Sequence, residues 1–82
     1  MIIRQHDTIK GTGGTGHHRI VIDWFDREWS IMINDNHIQR VTTIHLWDTN
    51  EWRKFDGRSL EESVVLDAIK QNKIINLKYK AQ

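Results

Sequence analysis

The sequence predicts an α+β fold: an antiparallel sheet of about five or six strands with one helix packed on a face, the order being five strands, the helix, then a closing strand. Three observations carry this. First, Ile20 to Ile33 reads as a β-hairpin folded about Asp26-Arg27, with Phe25 opposite Glu28. In that register Trp24 faces Trp29, Ile22 faces Ile31 and Ile20 faces Ile33. All six share one side, because strand side chains alternate faces. A slip of one residue would expose every one of them. Second, Ser59 and Glu62 have the spacing of a helix capping box, and Leu60, Val64, Val65, Ala68 and Ile69 make a broad apolar stripe behind them. Third, clusters of Asn, Asp and Gly cut the remainder into strand-length pieces, and no proline interrupts pairing.

The elements follow in order. Met1 to Ile9 reads as a first strand with two mixed faces, suited to a sheet edge. Gly11 to Gly16 formally satisfies G-x-G-x-x-G, but the strand-like His17-His18-Arg19-Ile20-Val21-Ile22 follows where a dinucleotide fold requires a helix. The segment is read as a hairpin tip or linker. After the central hairpin, Asn34-Asp35-Asn36-His37 is a turn. Ile38 to Trp47 is then a strand with imperfect faces, which pairs Ile33 with Ile38 or brings Val41 near Ile31. A bulge halfway would let its ends bury opposite sides. Asp48-Thr49-Asn50-Glu51 is a third turn and Trp52 to Phe55 a short strand. The helix runs from the Ser59 cap towards Asn72, with Lys70 and Lys73 at its negative end. Ile74 to Tyr79 is the closing strand. The helix is expected to cover the Ile20/Ile22/Trp24/Trp29/Ile31/Ile33 face.

Composition narrows the function. At 82 residues the chain has room for one domain. It has no cysteine, which excludes disulfides and thiolate metal sites. That leaves good packing or a partner subunit as the source of stability. A net charge of +1 is small for a dedicated nucleic-acid binder and far from an acidic mimic. No signal peptide and no membrane span is read, so the expectation is a soluble cytoplasmic protein.

Catalysis finds little footing. There is no G-x-S-x-G and no spacing that sets a Ser or Thr beside a base. The five histidines are scattered. A zinc site from His18, His45 and Asp23 is not required by any spacing, and neither a metal nor a cofactor is expected. Asp23 is expected to hydrogen-bond across the hairpin to Ser30.

Binding has broader support. Four tryptophans exceed what one small core readily hides. Trp47, Trp52, Arg53 and Phe55, of residue types favoured in binding hot spots or flanking them, are the expected protein contacts. The reading is a non-catalytic protein-binding module, homodimeric through unprotected strand edges, acting as a regulator or inhibitor of the kind carried by phages or mobile elements. The alternative is a binder of a nucleotide or other phosphorylated small molecule, through Gly13, Gly14, Gly16, His17, His18 and Arg19. Nucleic acid is the remaining option, through Lys70, Lys73, Lys78 and Lys80, or through bases stacked on the sheet aromatics beside Arg53 and Lys54.

Overall fold

The computed structural model describes residues 1–10 and 15–77. Its centre is the hairpin of β2 (Thr15–Trp24) and β3 (Arg27–Asn36). On one side stands β1 (Ile2–Lys10), on the other β4 (Val41–Asp48) and then β5 (Glu51–Lys54). The five strands form one antiparallel meander in the order β1-β2-β3-β4-β5. Among the described residues a single helix, α1 (Leu60–Lys70), follows. This is the α+β arrangement that the sequence implies.

The hairpin differs from expectation in one respect. Its turn is Phe25-Asp26, so Trp24 pairs with Arg27, Ile22 with Trp29, and Ile20 with Ile31. Both turn residues have positive φ, 55° and 56°, the signature of a two-residue turn whose twist matches that of its strands. Moving the turn by one residue shifts the register by two, and a shift of two keeps every side chain on its face. The buried set therefore survives: Ile20, Ile22, Trp29, Ile31 and Ile33 are fully buried, and Trp24 packs partly buried against them. The expected Asp23–Ser30 pair does not form. Ser30 lies opposite Val21, and Asp23 lies opposite Glu28. Those like charges are bridged by Arg4 of β1, at 3.5 Å to Asp23 and 3.1 Å to Glu28.

The second turn also lies later than expected. β3 runs on through Asn36, and residues 37–40 make the turn. The Asn36 side-chain oxygen accepts from the backbone N–H groups of Ile38 and Gln39, both at 3.0 Å, which stops the strand and reverses it. Neither expected pairing holds. Ile33 faces Ile44, and Ile38 stands 72% exposed. β4 alternates regularly, with Thr42, Ile44 and Leu46 inward, so the expected bulge is absent there. The pairing irregularity is in β1, between Ile3 and Gln5.

The helix begins as its cap implies: the Ser59 hydroxyl accepts from the Glu62 N–H at 3.2 Å. Its inward face is Glu62, Val65, Leu66, Ala68 and Ile69, rotated from the expected stripe, while Leu60 is 82% exposed. Leu66 replaces Leu60 because the helix docks through its middle and C-terminal turns. Val65, Leu66 and Ile69 join the hairpin isoleucines, Leu46 and Phe55 in one core. The Phe55 and Trp29 rings lie parallel there, centroids 6.1 Å apart. The closing strand expected over Ile74–Tyr79 is not found at 74–77, where Ile74, Ile75 and Leu77 pack against the core without pairing. Lys78 and Tyr79 lie outside the described residues.

Candidate functional site

One face of the sheet meets the helix, and strand alternation sends the remaining side chains to the opposite face. Arg19, Met32, His45 and Lys54 form one row across β2 to β5. Beside them Trp47 of β4 lies opposite Trp52 of β5. The two indoles meet edge to face, centroids 5.2 Å apart at 66°, and Trp47 is 45% exposed. The Arg19 guanidinium reaches across to the Trp52 ring at 5.6 Å. An exposed cation–π contact of this kind is worth about 0.5–1 kcal/mol, enough to orient the indole.

The charge on this face is uneven. Along β2 to β5 its carboxylates are Asp23 and Glu28 alone, both at one end and both held by Arg4. The centre carries Arg19, His45 and Lys54 around the tryptophan pair. The result is a basic, aromatic surface built on strands, whose geometry the sheet hydrogen bonds hold.

The four expected protein contacts are thus divided. Trp47 and Trp52 share the outer face. Arg53 points to the opposite one, donating to Asp48 at 2.7 Å and pairing with Glu62 of the helix, its side chain only 13% exposed. Phe55 is buried at 2% and belongs to the core. Alternation is the reason: Trp52 and Lys54 face one way, Arg53 and Phe55 the other. Arg19, Met32 and His45 complete the patch. Period-two counting outward from the buried isoleucines identifies them once the pairing register is known.

The expected anion-binding set is also divided. Gly13 and Gly14 lie outside the described residues. Gly16 sits inside β2 opposite Asp35. His17 and Arg19 face outward, whereas His18 faces the helix side, next to Thr8 and His6 of β1. The His18 Nδ1 lies 3.2 Å from both Thr8 Oγ1 and His6 Nε2. Partial burial and the neighbouring His6 hold its pKa below the ordinary value, which favours the neutral ring over the anion-binding cation. Lys70 and Lys73 are exposed at the end of the helix. Lys78 and Lys80 lie outside the described residues.

Inside the helix-facing side is a small polar cluster. Buried Thr42 donates to Asp35 at 3.2 Å, and His37 lies 3.2 Å from the other Asp35 oxygen. Among the described residues no group of three or more His, Asp or Glu side chains is placed to hold a metal ion. His18 and His45 face opposite sides of the sheet, so they do not converge with Asp23. An open cleft of about 510 Å³ lies at the hairpin tip, between Ile2, Arg4, Trp24, Phe25 and Arg27. Among the described residues no helix is long and apolar enough to cross a membrane.

No family model matches the sequence, and comparison with curated proteins and with solved structures finds no match.

Proposed function

We propose that this chain is a non-catalytic binding module that engages a partner protein through the outer face of its sheet. The observation that supports this most is the Trp47–Trp52 pair, with Trp47 exposed and Trp52 partly so, on the sheet face that also carries Arg19, Met32, His45 and Lys54. Tryptophan and arginine contribute large contact area at low conformational cost, which is why they dominate binding hot spots. The cations favour a partner with an acidic rim. Such a module regulates or inhibits by occupying its partner's surface.

The test is a comparison of wild type with Trp47→Ala/Trp52→Ala in affinity capture, both proteins first shown to be folded by circular dichroism. Proteins retained by the wild type and lost by the double variant support the reading. Identical retention would remove it.

A second reading rests on the same face. Its carboxylates are displaced from the aromatic centre, an arrangement that also suits single-stranded nucleic acid, with bases stacked on Trp47 or Trp52. Titration with a single-stranded oligothymidylate, followed by tryptophan fluorescence, separates the two. Quenching that weakens steeply with salt favours nucleic acid. No quenching leaves the protein-binding reading.

A further inference from the structure

We infer that two copies of this chain pair antiparallel through their β1 edges, joining the two sheets into one. The strand is long, nine residues, and every residue from Met1 to Ile9 is exposed. It contributes nothing to the buried core, yet presents Ile2 at 65%, Ile3 at 44% and Ile9 at 53% exposure. The opposite edge, β5, has four residues. An exposed edge of that length with apolar side chains and no proline is a template for another strand.

The second copy is the partner that the sequence of β1 fits. Pairing with β2 assigns each side chain to a face. Ile2, Gln5, Asp7 and Ile9 lie outward with Asp23, Val21, Arg19 and His17, while Ile3, His6 and Thr8 lie on the helix side with Ile22, Ile20 and His18. Arg4 sits at the irregularity and reaches the outward Asp23 and Glu28. Because Arg4 is an extra residue, any strand added on the open side must also set two residues against one. A two-fold axis through His6 satisfies that rule on both strands at once. His6 then faces His6 of the second copy, and Arg4 with Gln5 together face its Asp7. Ile3 faces its Thr8 and Ile2 its Ile9. Every pair shares a face, the isoleucines at the ends meet, and a cation meets a carboxylate twice. This edge is separate from the tryptophan face, so both can be occupied together.

The chain lacks cysteine, so any introduced thiol is unique. Directly opposed residues have Cα atoms about 4.5–5.5 Å apart, within disulfide reach. Under mild oxidation His6→Cys is expected to give a covalent dimer and Ile3→Cys, displaced from the axis, is not. In sedimentation equilibrium the wild type is expected to be a dimer. Asp7→Arg, which sets like charges opposite Arg4 at two places, is expected to raise the dissociation constant about tenfold. Trp52→Ala is expected to leave it unchanged. A wild type that stays monomeric at every concentration overturns the inference. So does a dimer that Asp7→Arg leaves intact, that Trp52→Ala abolishes, or that Ile3→Cys links as readily as His6→Cys.

Discussion

The guanidinium of Arg53 on β5 pairs with the carboxylate of Glu62 on α1, with side chains only 13% and 6% exposed. The same arginine also reaches Asp48 at the end of β4 and, at 3.5 Å, Asp56 in the approach to the helix. One side chain thus ties three segments together on the helix-facing side of a short edge strand. Glu62 is the residue that a capping box would commit to the helix start. Here its backbone N–H serves the Ser59 cap while its carboxylate serves the sheet.

Removing one partner strands the other. Arg53→Ala leaves Glu62 withdrawn from water without its cation, and a loss of about 3–5 kcal/mol is expected in urea unfolding. Arg53→Met with Glu62→Leu removes both charges and is expected to recover most of that loss. A double variant no better than Arg53→Ala would show that the pair is not the cause.

Phe55 and Trp52 stand three positions apart on opposite faces, and their substitutions are expected to separate stability from binding. Phe55→Ala opens a void against Trp29 and is expected to cost about 3–5 kcal/mol. Trp52→Ala removes a partly exposed ring outside the core and is expected to cost about 1 kcal/mol while weakening partner capture. Circular dichroism melts and capture assays on the same two samples check this.

The Phe25-Asp26 turn places two L-residues at positive φ. Asp26→Gly removes the side-chain clash of that conformation at the position where two-residue hairpin turns favour glycine. A gain of roughly 0.5–1 kcal/mol is expected. It should appear as a higher urea midpoint with an unchanged m-value.

Acid is expected to weaken the fold in two steps. Burial, followed by the nearby His6, holds the His18 pKa below its ordinary 6.5. The unfolded chain therefore takes up that proton first, and stability falls as pH drops from about 6.5. The Arg53 hydrogen bond, aided by Thr49, holds Asp48 below its ordinary 3.8. Its contribution is present above that value and is lost as pH falls through the lowered pKa. Urea midpoints near about pH 7.5, 5 and 2.5 follow both steps. His18→Gln is expected to flatten the upper one.

The sequence alone determined which residues are inside the central hairpin. Ile20, Ile22, Trp29, Ile31 and Ile33 alternate with the more mixed Val21, Asp23, Ser30 and Met32, and that alternation survives any register shift of two. It also determined the helix start, because a cap is a local hydrogen bond between Ser59 and a residue three positions on. The tertiary structure decided what depends on distant partners. The hairpin turns at Phe25-Asp26 and not at Asp26-Arg27; both registers leave every side chain on its face, so alternation alone could not choose between them. The helix stripe rotated from Leu60 to Leu66 because docking, not periodicity alone, selects which flank is buried. The binding patch divided for the same reason. Trp52, Arg53 and Phe55 are neighbours in sequence, but a strand sends adjacent side chains to opposite faces. Only the pairing of β5 with β4 brought Trp52 to Trp47 and Arg19 and turned Arg53 towards Glu62. Local chemistry is written in short spacings; the meeting of residues from different strands depends on a register that the whole core sets.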